Sequence, residues 1–187
     1  MKEKIKELLL STNRENIEKL ISWIENKSDF FTAPASTKFH GNYEGGLAEH
    51  SLNVYVLLKE KNERYELGLK EENIIISALL HDLCKANIYK KESKWRKDSN
   101  NKWEEYFPWI FDDNLPLGHG EKSVILAQAF IKLTREEIFL IRYHMGGFLS
   151  DEEKKNLYKA VEIIPAIVAI HTADYEATTF LEKKVEI

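Results

Sequence analysis

The run Ile74-Ile75-Ile76-Ser77-Ala78-Leu79-Leu80 is apolar and helical in pattern, and it ends directly in His81-Asp82. A carboxylate and an imidazole at the end of such a run are costly to strip of water unless something binds them. Two other residues stand in comparable settings. His50 lies in Gly45-Gly46-Leu47-Ala48-Glu49-His50-Ser51, and Asp174 in Ala169-Ile170-His171-Thr172-Ala173-Asp174. An ordered set of His, His-Asp and Asp, each on an otherwise apolar helix, points to a metal site built inside a helical bundle. Imidazole and carboxylate ligands without thiolates favour a first-row metal such as Mn, Fe, Co, Ni or Zn.

The bulk numbers fit one such body. A chain of 187 residues supports a single domain over 1–187 with a sizeable core. The 43% hydrophobic content excludes a disordered chain. Charged residues at 31% balance to a net charge of -4, which argues against a general polyanion binder. Any nucleic-acid contact then requires a local basic patch. The lone cysteine, Cys84, excludes an internal disulfide framework and suits a reducing compartment. The amino terminus lacks an export core, and no stretch approaches the roughly 18 uninterrupted apolar residues of a membrane span. The expectation is a soluble, cytoplasmic protein with no membrane partner.

Helical periodicity dominates the rest. Ile17, Leu20, Ile21 and Ile24 follow helical spacing, with Thr12 and Glu15 as an expected capping box in front of them. Further helices are expected near 46–61, from Glu71 to Cys84, and near 119–132, 135–144, 151–160 and 163–183. Thr134 with Glu137 and Ser150 with Glu153 again read as capping boxes, and Pro165 should begin or kink the last helix. Residues 86–117 differ: turn formers flanked by aromatics and charges predict a small β-hairpin inserted in an all-α fold. Ile5, Leu8 and Leu9 of an amphipathic first helix offer a face for a second subunit, so a homodimer is carried as a candidate arrangement.

His50, His81-Asp82 and Asp174, with the flanks Gly45-Gly46-Leu47-Ala48-Glu49-His50-Ser51 and Leu79-Leu80-His81-Asp82-Leu83-Cys84-Lys85, resemble the motifs of the HD superfamily of metal-dependent phosphohydrolases. The likeness spans about residues 34–178 and implies an HD-domain helical bundle. His119 and His144 fall, in order, where two-metal branches of that superfamily add two histidines. The resemblance implies that His50, His81 and Asp174 hold one metal, that His119 and His144 hold another, and that Asp82 bridges them. One or two divalent ions are therefore expected. Cys84 stands where the family's doublet motif carries glycine, and reads as a small buried filler.

A bound cation lowers the pKa of its water from 15.7 to about 7, which makes hydroxide available at neutral pH. No protein nucleophile is then needed, and no Gly-x-Ser-x-Gly elbow, phosphate-cradling loop or Cys-His dyad is found. Asp82 and Lys85 are the catalytic candidates; in the resembling motif the matching lysine faces the phosphate. His171, His40 and Arg142 are candidate substrate contacts. The first alternatively is a packed core residue, the second a surface histidine and the third a solvated helix residue.

The stretch from Pro34 through His40 to Leu47 also resembles the HD domain of YhaM-type 3′–5′ exoribonucleases. Small size and acidic charge favour a small phosphorylated substrate, a nucleotide above all. The hairpin, with Trp95, Trp103, Tyr106 and Trp109 among lysines and Arg96, keeps a short single-stranded nucleic acid open as a partner. Its tryptophans alternatively anchor the hairpin to the helical body. Two other classes stay in view: an HD-type di-iron oxygenase and a non-catalytic nucleotide-binding sensor.

Overall fold

The computed structural model describes residues 1–185. Among them are eight α-helices: α1 (Lys2–Ser11), α2 (Ile17–Asn26), α3 (Gly46–Arg64), α4 (Glu71–Leu80), α5 (His119–Gln128), α6 (Arg135–Tyr143), α7 (Asp151–Ile163) and α8 (Ala166–Glu176). The fold is all-α with one β arm. None of these helices is long and apolar enough to cross a membrane.

The apolar run behaves as its composition demands. Every residue of α4 from Asn73 to Leu80 is buried, so this helix has no solvent face and passes through the middle of the molecule. Ile75, Ile76, Leu79 and Leu80 pack with α1, α2 and the start of α3. Ile74 and Ala78 join a second cluster made with α3, α6, α7 and α8. The apolar face of α1 is consumed in the first cluster, where Ile5, Leu8 and Leu9 are buried. The pairing surface expected from those three residues is therefore not available to a second subunit.

Helix ends are set by local chemistry. Thr134 and Ser150 each accept from the backbone N–H of Glu137 and Glu153, and each glutamate reaches back to close its capping box. Pro165 begins α8. The box expected at Thr12 and Glu15 does not form. Thr12 instead ends α1, its hydroxyl donating to Leu9 O at 2.6 Å. The chain then turns through Asn13 and Asn16, both at positive φ, a conformation that asparagine tolerates. The helix expected to run to Cys84 stops at Leu80, and a 3-10 turn at Leu83–Lys85 follows the doublet. The last helix opens at Ala177–Leu181 into a wide π turn that closes with Glu182 N–H on Ala177 O at 3.1 Å.

The insert forms the expected hairpin, longer than a simple one. β1 (Tyr89–Lys91) pairs with β4 (Trp109–Phe111), and β2 (Lys94–Lys97) pairs with β3 (Trp103–Tyr106), both antiparallel. Together they make one two-stranded arm with a break between its halves. Trp95 and Trp103 are 61% and 65% exposed, so they do not anchor the arm to the helices.

Thr134→Ala removes a formed cap and should cost about 1 kcal/mol of stability, read as a lowered urea midpoint at unchanged m-value. An unshifted midpoint would show that the cap contributes nothing to α6.

Candidate metal centre

Five helical elements each deliver donors to one place. His50 comes from α3, His81 and Asp82 from the end of α4, His119 from the start of α5, His144 from the end of α6 and Asp174 from α8. The donor atoms of His50, His81 and Asp82 lie within 4.8 Å of one another, as do those of His81, His144 and Asp174, and those of Asp82, Cys84 and His119. The six residues expected to gather do gather.

Two of the histidines are aimed by the same device. His81 caps the C-terminus of α4 and His144 that of α6. Each donates Nδ1–H to the carbonyl three residues earlier, Ala78 at 2.8 Å and Ile141 at 2.7 Å. Carbonyls in a last helical turn lack intrahelical donors, so this bond finishes the helix and fixes the imidazole tautomer together. The Nε2 of each ring is left as a lone pair pointing into the cluster. That of His144 is buried and has no hydrogen-bond partner among the described residues.

His50 is aimed by a carboxylate. Its Nδ1–H donates to Glu182 Oε1 at 2.8 Å, and Asn53 Nδ2 donates to the same oxygen at 3.3 Å. His50 Nε2 then faces His81 Nε2 at 3.0 Å, Asp174 Oδ1 at 3.2 Å and Asp82 Oδ2 at 3.4 Å. With the His50 ring neutral, all of these are acceptors. Such a gathering of lone pairs requires a proton or a cation at its centre, and the donor set of imidazoles and carboxylates fits a divalent first-row metal.

The charges agree. Burial opposes a charge on His50, yet Asp174, Asp82 and Glu182 outweigh it and hold its pKa well above the usual value. Burial pushes His81 down to about 3 against the pull of Asp82, with His144 and His50 adding to the fall, so it stays neutral. Burial also works against the Asp82 carboxylate, but Lys85, His81, His119 and His144 keep it ionised, well below the ordinary range.

Asp82 divides the centre. Its Oδ1 lies 2.7 Å from His119 Nε2 and 3.5 Å from His144 Nε2. Its Oδ2 lies 3.4 Å from His50 Nε2, 3.5 Å from His81 Nε2 and 2.6 Å from Lys85 Nζ. The 3-10 turn after the doublet folds Lys85 back onto the carboxylate. Burial disfavours a charged Lys85, and the adjacent Asp82 more than restores it. Cys84, where glycine is usual in the resembling motif, is not at positive φ. Its side chain is used: Sγ lies 3.3 Å from His119 Nδ1, and burial, with Asp82 adding to it, pushes the thiol up to about 12. It remains a thiol at neutral pH.

A cleft of about 600 Å³ opens over Asp82, Lys85 and Asp174. His40 and His171, both candidate substrate contacts, line it, together with Phe39, Met145, Phe148 and Tyr175. His171 donates Nδ1–H to His144 O at 2.8 Å. A Cβ on Gly146 would fall 2.4 Å from the His171 ring, so glycine is required there. A Cβ on Gly46 would sit 2.0 Å from Gly41 O. The close approach of the 36–41 loop to the start of α3 brings the His40 ring to 5.4 Å from that of His50. Arg142 does not line the cleft. Its guanidinium is held by Glu121 and by Glu153 at 2.7 Å, tying α5 to α7.

Glu182, Phe148 and Tyr175 were not singled out by the sequence. Glu182 stands in a charged tail, Glu182-Lys183-Lys184, which reads as solvated, and it is 132 residues from the histidine it meets. Its side chain is only 1% exposed. Phe148 lies in the 3-10 turn Gly146–Phe148 and Tyr175 on α8 directly after Asp174.

Fold and centre define a class: helical proteins that collect His and Asp side chains from several helices around a buried, metal-competent core. A family model described as the HD domain matches residues 47–179, and the chain belongs to the HD-domain family. It is 43% identical over 65 residues to the dihydroneopterin 2′,3′-cyclic phosphate phosphodiesterase of Methanocaldococcus jannaschii, covering 32% of this chain and 26% of that one. It is 32% identical over 87 residues to the 3′-5′ exoribonuclease YhaM of Geobacillus sp. (strain WCH70), covering 46% of this chain and 26% of that one. The chain thus spans about a quarter of the length of these curated relatives. No solved structure gives a match.

Glu182→Gln keeps the shape and removes the charge that orients His50. It should weaken divalent-metal binding by about 10–100-fold, measured by isothermal titration with Mn²⁺. An affinity equal to that of the unaltered protein would show that the carboxylate does not tune the centre.

Proposed function

We propose that this chain is a metal-dependent phosphohydrolase that cleaves a phosphate ester of a nucleotide or short oligonucleotide. The observation that carries the reading is the division of Asp82, whose two oxygens face two different histidine pairs. In this reading His50, His81, Asp82 and Asp174 hold one ion, and Asp82, His119 and His144 hold a second, drawn from Mn, Fe, Co, Ni or Zn. Bound there, such ions supply hydroxide at neutral pH and neutralise phosphoryl oxygens.

The remaining roles fall to the chain itself. Lys85 lines the cleft as a compact cation beside Asp82 and suits an oxygen of the scissile phosphate. His40 is kept neutral chiefly by burial, with Lys85 adding to the effect, and its buried Nε2 is without a hydrogen-bond partner among the described residues, which suits a polar substrate group. His171 braces the backbone of His144. Phe39, Phe148 and Tyr175 are largely exposed rings on the rim, and Phe148 lies 6.3 Å from Tyr175. Exposed rings beside Lys85 suit a nucleobase attached to a phosphate. A thiol held protonated at Cys84 offers no competing nucleophile. The cyclic-phosphate phosphodiesterase and the exoribonuclease among the relatives support a phosphodiester as the bond cleaved.

The test is hydrolysis of bis(p-nitrophenyl) phosphate and of 2′,3′-cyclic and linear dinucleotides with each of the five metals, run with and without oxygen. Asp82→Ala should reduce turnover to background, and Lys85→Met should lower kcat by about 100-fold. Turnover that survives Asp82→Ala overturns the reading. Dependence on iron and oxygen would assign the oxygenase chemistry. Tight nucleotide binding with no turnover under any metal would assign a sensor.

A further inference from the structure

A groove lies beside the catalytic cleft. It encloses about 740 Å³, and Lys38, Arg96, Tyr106, Trp109 and Lys184 are among the residues that line it. One wall is the β arm. The other is the 37–42 loop with the chain segment that follows the π turn, and this wall is fixed. Gly41 N–H donates to Lys183 O at 3.0 Å, and Asn42 exchanges side-chain bonds with the backbone of Val185 at 2.6 and 2.7 Å.

Three features specify an occupant. The described lining includes Lys38, Arg96 and Lys184 and no carboxylate residue, although the Arg96 guanidinium is engaged by Glu104 of the arm at 2.7 Å, so Lys38 and Lys184 carry the argument. Two of its residues are aromatic, and the arm carries cations against ring faces throughout. The Arg96 guanidinium lies 4.7 Å from the Tyr106 centroid, and Lys91 Nζ lies 5.0 Å from that of Trp109. Finally, one loop serves both depressions: Lys38 lines the groove, and the next two residues, Phe39 and His40, line the catalytic cleft. Consecutive Cα atoms are 3.8 Å apart, so the two depressions lie on either side of a single strand of loop.

The geometry points to a single-stranded nucleic acid as the occupant, with the terminal nucleotide in the cleft and its neighbours in the groove between loop and arm. Cations that track a backbone beside ring faces that stack bases form a sequence-tolerant binding surface for single strands. The net charge of -4 does not oppose this, because the attraction is local to the groove. The inference rests on the nucleotide reading of the cleft and adds to it the groove as the surface that holds the rest of the strand.

The experiment separates the two. Fluorescence anisotropy of a 5′-labelled hexauridylate is measured in EDTA, where hydrolysis plays no part, with uridine dinucleotide and poly-glutamate as competitors. The hexamer should bind at least tenfold more tightly than the dimer. Lys38→Gln combined with Lys184→Gln should weaken the hexamer about tenfold and reduce the slope of log K against log salt by about 1.4. Trp109→Leu, which keeps an apolar body and removes the ring, should weaken it about fivefold or more at an unchanged salt slope. Equal affinity for hexamer and dimer, variants that change neither affinity nor slope, or displacement by poly-glutamate as effective as by RNA would overturn the proposal. Failure of the phosphohydrolase reading would appear instead as no turnover of small diesters, whatever the hexamer does.

Discussion

A carboxylate 2% exposed to solvent has to be compensated by what surrounds it, and the centre of this molecule is organised around that need at Asp82. Lys85 supplies a full positive charge at 2.6 Å. Four imidazole nitrogens approach the two oxygens within 2.7 to 3.5 Å. Those groups come from α3, from the ends of α4 and α6, and from the start of α5, while Asp174 adds a second carboxylate from α8. A buried charge that draws partners from so many helices also fixes how the helices sit against one another, so the packing and the site are one constraint. Removing any one of these five helices would strand ionisable groups in an apolar interior, where the cost is several kcal/mol.

The economy of the arrangement lies at the helix ends. A helix that terminates inside a protein leaves carbonyls that need donors. Here the donors are the Nδ1–H groups of His81 and His144, each bonded three residues back. One hydrogen bond thus completes the helix, fixes a tautomer and turns the other ring nitrogen toward the centre. His50, inside α3, has no such carbonyl free, because interior helix carbonyls are already taken. It uses Glu182 instead, and Glu182 arrives only because α8 opens into a π turn and the following segment folds back against the 37–42 loop. Residues outside the matched span of 47–179 therefore complete the setting of a ligand inside it.

What the sequence made legible follows the same physics. The helices with side-chain caps were readable because Thr134–Glu137 and Ser150–Glu153 are local, three-residue devices. Thr12 and Glu15 have the same spacing, yet Thr12 bonds back to Leu9 and the chain turns through two left-handed asparagines, a competition that spacing does not reveal. His50, His81, Asp82 and Asp174 were legible as an ordered set of ionisable groups on apolar helices, whereas His119 and His144 were marked only by the resemblance to the HD superfamily. Arg142 misled for the complementary reason: a long cation near His144 looks available, but Glu121 and Glu153 engage it from two other helices. The apolar face of α1 misled likewise, since a face suited to a partner is equally suited to the chain's own core. Glu182 was illegible because its contact spans 132 residues and its neighbours are lysines.

The placement of the β arm shows how recognition can vary while the chemistry stays fixed. The chain leaves the helical body just after the 3-10 turn and returns just before His119, and its two ends are tied together where Asp112 N–H meets Ile88 O at 2.8 Å. The residues on either side are locked independently of the arm. Cys84 N–H donates to Ser123 Oγ at 3.0 Å, and Cys84 Sγ touches the His119 ring. An insert whose ends are already joined adds little further loop-closure cost as it lengthens, roughly 0.6 kcal/mol per doubling. Its length and side chains can therefore change without displacing Asp82 or His119. On the proposed reading, binding residues on such an arm, held by a rigid scaffold, would alter which substrate is taken while the buried charges dictate what is done to it.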